Sequence, residues 1–180
     1  MTIAARLKPG ESLGDRVIKV DHAGEHGAVC IYRAQRWFAR WTAPDMVDEL
    51  NGFLAHERRY RALFAAELVR RGRRRCRSFL FCGLGGFVLG TVTGLLGRRA
   101  IAATTVAIET VVLRHMHEQV AALSGSDMAA VDALRSVIAE EQAHHDLSGL
   151  RLTPPGTWPK LISPVVEAST EAVIWLGMRL

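Results

Sequence analysis

"AEEQAHHDLS", residues 139–148, carries Glu141 and His144 in the spacing Glu-x-x-His. Positions three apart share one face of an α-helix, so both side chains can reach the same point. An earlier stretch, "AHERRYRALF" at 55–64, sets Glu57 in similar surroundings, but Tyr60 stands where the later stretch has its His. His56 is no simple replacement, because adjacent residues point about 100° apart around a helix. A single Glu-x-x-His carries little weight, since most are solvated helix faces.

The spacing between these stretches adds the missing weight. Glu25 and Glu57 stand 32 residues apart, and so do Glu109 and Glu141. With a rise of about 1.5 Å per residue, an antiparallel helical hairpin returns such positions to one level. Glu109 lies in "TTVAIETVVL" at 104–113, which is apolar on nearly every face. A carboxylate there is buried and needs a partner. The pattern predicts four carboxylates meeting inside a four-helix bundle. Carboxylate-bridged di-metal proteins have this layout, with a Glu from each of two helices and Glu-x-x-His from each of the others. Bridging carboxylates neutralise two divalent ions, and imidazole supplies a neutral nitrogen that suits iron.

No stretch alternates with the period of a strand, so the chain reads as all-α. The expected helices run from about Gly14 to Trp41, to about Arg71, from Ser78 to Leu96, from Arg98 to Leu123 and to about Leu150. A sixth closes the chain. In "WTAPD" at 41–45, Thr42 reads as an N-cap with Pro44 in the first turn. "SGSD" at 124–127 reads as a loop ending in an N-cap, and "TPPGTWP" at 153–159 as a break. The first, second, fourth and fifth helices form the bundle of one domain covering 1–180.

The run "SFLFCGLGGFVLGTVTGLLG" at 78–97 stands apart, being almost wholly apolar or small. It is near the minimum length for a transmembrane helix. Gly86, Gly90 and Gly94 form a small-residue stripe that permits close helix approach. Arginines flank it, six of them in "RRGRRRCR" at 70–77 and two more at Arg98 and Arg99. With a net charge of +5, this combination reads better as a membrane surface than as nucleic acid. No zinc-finger spacing or RNA-binding signature supports the latter. The segment either spans the bilayer or lies in one leaflet with its arginines on headgroups; the bundle fits the second better. Cys30, Cys76 and Cys82 match no zinc pattern, and their odd number fits a reduced compartment. "MTIAARLKPG" has no apolar core, so no secretory signal is expected.

Three stretches carry a resemblance. "RVIKVDHAGEHGA" at 16–28, "GFVLGTVTGLLGRRAIAATTVAIE" at 86–109 and "EEQAHHD" at 140–146 resemble segments of the demethoxyubiquinone hydroxylase (COQ7) family of ferritin-like proteins. The likeness extends from about Arg16 to the final "AVIWLGMRL". It implies a ferritin-like bundle with an apolar membrane-associated helix and a C-terminal helix. Carried over by position, it implies iron ligands at Glu25, Glu57, Glu109, Glu141 and His144, with the sixth falling on Tyr60. It implies two iron ions, dioxygen, NADH as electron source, and a polyprenyl quinol substrate, 2-polyprenyl-3-methyl-6-methoxy-1,4-benzoquinol. Other ubiquinone-biosynthesis proteins are among the partners it allows. The implied location is peripheral, on the cytoplasmic side of the cell inner membrane. The start of the chain, without a long extension, favours a bacterium over an organelle. "GLGGFVLG" lacks the preceding strand of a dinucleotide fingerprint.

The chain departs from the family pattern at Tyr60, at Met116, where the family commonly has Tyr, and at His26, where it usually has Tyr. Three readings of Tyr60 stand: a phenolate ligand to ferric iron, a residue too distant to bind, or a mark of lost chemistry. The last gives the rival function, a non-enzymatic quinone-binding or assembly paralogue. A soluble ferritin-like oxidase or peroxidase is a third reading, which leaves the apolar run unexplained. His22, His26, His115, His117 and His145 read as surface or supporting residues. Asp21 reads either as an orienting partner for a metal-bound His or as half of a helix salt bridge. Trp37, Trp41 and Trp175 read as core or interface residues.

Overall fold

The first helix starts where Ser12 can cap it. Its hydroxyl accepts from the Asp15 amide at 3.0 Å, and the Asp15 carboxylate accepts from the Ser12 amide at 3.1 Å, a reciprocal capping box. In the computed structural model, which describes residues 4–153 and 156–180, this helix is α1, Leu13–Thr42. It is followed by α2 (Val47–Arg70), α3 (Phe79–Leu96), α4 (Arg98–Leu123), α5 (Met128–Leu150) and α6 (Thr157–Gly177). There is no strand among the described residues. The expected helices are therefore present in order.

α1 packs against α2, and α4 against α5, giving two antiparallel hairpins that form the bundle; α3 lies on α1, and α6 on α4. Two large apolar clusters fill most of the interior, and a small third one, Ala23, Cys76 and Cys82, lies under the start of α3. One large cluster holds Ile18, Phe64, Leu68, Leu123 and Leu134. The other holds Tyr32, Met46, Leu50, Phe53 and Ile101. On α1, α2 and α4 the predicted glutamates lie between residues of the two clusters.

The glycine stripe of α3 explains its seat on α1. A Cβ on Gly86 would come within 2.3 Å of the Gly27 carbonyl oxygen, and one on Gly90 within 2.3 Å of that of Ile31. Both distances are far inside contact, so the two backbones touch as only glycine permits. Gln35 Nε2 donates to Thr93 Oγ1 at 2.9 Å across the same seam. With this face on α1, the other face exposes Leu80, Phe81, Leu84, Phe87, Val88 and Leu95. α3 is long and apolar enough to cross a membrane by length and composition, and one-third of it is buried in the protein.

Several expectations need correction. Thr42 does not cap the second helix. It ends α1, and its hydroxyl bonds to the carbonyls of Phe38 (3.2 Å) and Gly94 (2.6 Å), the latter closing the end of α3. A short 3-10 turn, Pro44–Met46, leads into α2 instead. Trp37, Trp41 and Trp175 lie on the surface, which removes the core half of the core-or-interface expectation and leaves the other half; Arg40 covers Trp37 and Arg179 covers Trp175. The break before α6 ends sooner than expected, because Thr157–Pro159 already belong to the helix; a first-turn Pro loses no intrahelical bond. Pro154 and Pro155 of that break lie outside the described residues. The N-cap at Asp127 is as expected, accepting from the Ala130 amide at 3.1 Å.

The arginine cluster is less free than its sequence suggests. Arg71 bonds Asp127 (2.6 and 2.8 Å) and Glu67 (2.6 Å), and Arg73 pairs with Asp15 at 2.8 Å. Arg75 lies over the ring of Phe79. Arg74, Arg75 and Arg77 remain exposed where α3 begins.

Candidate metal centre

Four helices deliver the site. The 32-residue spacing returns Glu57 of α2 to the level of Glu25 of α1, and Glu141 of α5 to the level of Glu109 of α4. Glu57, Glu109, Glu141 and His144 each place a ligand atom within 4.8 Å of all the others. All are buried, at 1–2 % exposure, and Glu25 beside them is 5 % exposed. His144 Nδ1 lies 3.4 Å from Glu141 Oε2 and 3.5 Å from Glu57 Oε1.

Burial pushes the pKa of each of the four carboxyls above the usual carboxylate range, and the charges of neighbouring carboxylates add to this. His144 is shifted the other way, downward, also by burial. So many buried anionic groups are tolerated only with protons or cations among them. Two ligand atoms at the centre, Glu57 Oε1 and His144 Nδ1, have no hydrogen-bond partner. Unpaired buried oxygen and nitrogen atoms aimed at a common point suit a metal ion, and the set of carboxylates with one imidazole suits a hard or borderline divalent metal.

Tyr60 is placed differently. Its ring is buried, but its hydroxyl donates to Glu140, which also pairs with Arg59. Burial and then the Glu140 hydrogen bond raise the phenol pKa, which favours the neutral form.

Two neighbours were not visible as site residues in the sequence. Tyr32 of α1 donates its hydroxyl to Glu109 Oε1 at 3.1 Å. It falls seven residues after Glu25, two turns along the same face, and that spacing is the signal that could have found it. The other is His56, whose Nδ1 lies 2.9 Å from His144 Nε2. Phe53 packs on His144 with ring centroids 4.2 Å apart.

The remaining histidines are surface or supporting residues, as expected. His22 and His26 stack on Phe79 at 5.0 and 3.9 Å, fastening the start of α3 to α1. His115 bonds Glu171 of α6 at 2.9 Å, His145 bonds Asp146 at 2.9 Å, and His117 is exposed. Asp21 takes neither expected role; its Oδ1 accepts from Gln119 Nε2 at 3.2 Å.

All four glutamates border a cavity of about 570 Å³. Its other walls are largely apolar and come from α1, α3, α4 and α6, with Phe81, Leu89, Val92, Ile108, Val112 and Ile174 among them. Phe81 belongs to the exposed face of α3 as well, so the cavity borders that face.

The chain matches the family model described as ubiquinone biosynthesis protein COQ7 over residues 12–177. It is 32 % identical over 171 residues to the 3-demethoxyubiquinol 3-hydroxylase of Rhodospirillum rubrum, covering 93 % of this chain and 79 % of that one. It is 31 % identical over 175 residues to the mitochondrial NADPH-dependent 3-demethoxyubiquinone 3-hydroxylase of Bos taurus, covering 92 % and 77 %. The protein of the same name from Homo sapiens is 30 % identical over 173 residues, covering 92 % and 77 %. A match over nearly the whole chain, together with buried glutamates of α2, α4 and α5 gathered around His144, means that the chain belongs to the COQ7 family of ubiquinone biosynthesis proteins.

Proposed function

We propose that this protein is a membrane-associated di-iron monooxygenase that hydroxylates the ring of 2-polyprenyl-3-methyl-6-methoxy-1,4-benzoquinol in ubiquinone biosynthesis. The observation that carries this reading is the buried cluster of Glu57, Glu109, Glu141 and His144, whose three glutamates line an apolar cavity bordering α3. The names of the relatives support the substrate.

Glu25, Glu57, Glu109, Glu141 and His144 would hold the iron pair. When bound, such a pair supplies reductive activation of dioxygen, with one oxygen atom entering a ring C–H bond and the other leaving as water. The two electrons would come from a reduced nicotinamide nucleotide; NADH is the reading for this chain, and the Bos taurus relative is named for NADPH. Tyr32 would keep one Glu109 oxygen turned toward α1 through its 3.1 Å hydrogen bond. The apolar walls would exclude water and receive the first isoprenoid units beside the ring. About 570 Å³ lies within the size range of small-molecule sites.

An isoprenoid tail does not dissolve in water, so its head group must be taken from the bilayer. The outer face of α3, with Leu84, Phe87, Val88 and Leu95 exposed, would lie in one leaflet, and Arg74, Arg75 and Arg77 would meet headgroups. We place the protein peripherally on the cytoplasmic side of the inner membrane.

The test uses detergent-purified chain loaded anaerobically with ferrous iron. We expect about two irons per chain, hydroxylated quinol as product, and loss of both in Glu109→Ala. Stoichiometric iron without product would overturn the hydroxylase assignment and leave the metal centre standing. No stoichiometric iron would overturn the reading altogether and favour the non-enzymatic paralogue with an impaired metal site.

A further inference from the structure

His56 is the unassigned side chain nearest the centre. From the sequence it points about 100° away from Glu57 and is no simple replacement for a ligand on that face. That rotation carries it toward α5. There its Nδ1 lies 2.9 Å from His144 Nε2, and the two rings stack with centroids 5.2 Å apart and an interplanar angle of 10°. Phe53 packs on His144 as well, at 4.2 Å. The other His144 nitrogen, Nδ1, faces Glu141 and Glu57 at 3.4 and 3.5 Å and has no hydrogen-bond partner.

The two nitrogens of a neutral imidazole are not equivalent. If Nδ1 offers its lone pair to a metal, Nε2 carries the proton and needs an acceptor. In metal sites that acceptor is commonly a carboxylate, a backbone carbonyl or water, and it fixes both tautomer and ring plane. Here the group at hydrogen-bond distance from Nε2 is His56 Nδ1.

We propose that His56 is a positioning residue for the metal centre: its Nδ1 accepts the Nε2–H of His144 and holds that ring with Nδ1 toward the metal. Glu140 takes no part in this hydrogen bond: its Oε2 lies 3.6 Å from His56 Nδ1, outside hydrogen-bond distance, and receives the Tyr60 hydroxyl instead. Residues 56 and 60 of α2 are thus both engaged with α5, one through a metal-facing imidazole and the other through an outward carboxylate. This inference rests on the metal-centre reading above.

Cobalt(II) serves as probe, with affinity measured by chelator competition and geometry by the visible d–d spectrum. The proteins are wild type, His56→Leu and His56→Gln; the Gln carbonyl can still accept from His144. We expect His56→Leu to weaken one site about 10- to 100-fold and alter its spectrum, and His56→Gln to return within about threefold of wild type. The metal-free variants should melt with wild type, because His56 is partly exposed and a structural role would move all three readouts together. Equal cobalt affinity in wild type and His56→Leu overturns the proposal and leaves the metal centre standing. Equal loss in both variants also overturns it, because it would make His56 a direct ligand. A wild type that binds no cobalt overturns the metal-centre reading, and this proposal with it.

Discussion

In the α4–α5 half of the bundle, the residue three after the glutamate turns inward: His144 Nδ1 sits 3.4 Å from Glu141. In the α1–α2 half, the residue three after Glu57 is Tyr60, and its hydroxyl turns to Glu140 on the facing helix. The glutamates of the two halves obey the same 32-residue spacing. Spacing therefore sets the level at which a side chain enters the bundle, while residue type decides what it meets there. The unlike residues are also exchanged across the α2–α5 face: Tyr60 meets Glu140, and His56 meets His144.

The sharpest way to break the comparison is to remove each unlike residue in turn. His144→Ala should reduce quinol hydroxylation on the order of 1,000-fold, beyond the 10- to 100-fold of an outer partner. Tyr60→Phe should stay within about threefold, because the hydroxyl it loses is bonded to Glu140 rather than to the centre. Turnover of quinol by the iron-loaded proteins measures both. The phenolate-ligand reading of Tyr60 makes the opposite forecast. It requires a visible charge-transfer band in the ferric wild type that vanishes in Tyr60→Phe, and finding that band would join the halves again.

The sequence revealed what depends on register and little of what depends on tertiary approach. Glu25, Glu57, Glu109 and Glu141 were legible because helical rise is nearly constant, and an apolar stretch around Glu109 marks burial. That α3 would approach another helix closely was legible from Gly86, Gly90 and Gly94, but not that α1 would be the helix it meets. The His56–His144 contact was not, because it depends on how α2 and α5 are rotated about their axes, which spacing within one helix does not fix. Nor was the pairing of Arg71 and Arg73, since a run of arginines looks the same whether its partners are headgroups or Asp127 and Asp15. Thr42 misled for a related reason: a hydroxyl before Pro has the sequence of a cap, yet the end of α3 offered it the Gly94 carbonyl.

The two halves are joined at one end by Arg71, which leaves α2 and bonds Glu67, Asp127 at the start of α5 and, at 3.4 Å, Asp15 near the start of α1. Hydrogen bonds from Arg71 hold the Asp127 carboxyl below its usual pKa. Asp15 is lowered despite burial, by the Ser12 amide and then Arg71, and Glu67 is lowered by Arg70 and, against burial, by Arg71. Arg71→Met removes the shared cation and should cost about 3 kcal/mol, near 10 °C in melting temperature. Carboxyls whose folded pKa is depressed stabilise the protein above their unfolded value near 4 and lose that contribution as pH falls through the folded one. The gap between wild type and Arg71→Met should therefore be full near pH 7 and close below about pH 4. A gap independent of pH would mean that Arg71 acts by packing alone.

A modest gain, rather than a loss, is expected from making the halves alike. Tyr60→His gives α2 the same Glu-x-x-His as α5. Glu140 is partly exposed and keeps Arg59 as a partner, so an imidazole at position 60 has little to hold it outward. Inside, it would find Glu57, whose Oε1 has no hydrogen-bond partner. A metal beside that oxygen should gain a neutral nitrogen donor. We expect the weaker of two cobalt sites to tighten about tenfold, or about 1.4 kcal/mol, with His144 unaffected. Should affinity stay unchanged, adding Glu140→Ala separates two causes. If the double variant tightens, Glu140 holds residue 60 outward whatever its type. If it too is unchanged, the backbone of α2 at position 60 is turned away from the metal, and the asymmetry lies in helix rotation rather than in the loss of one histidine.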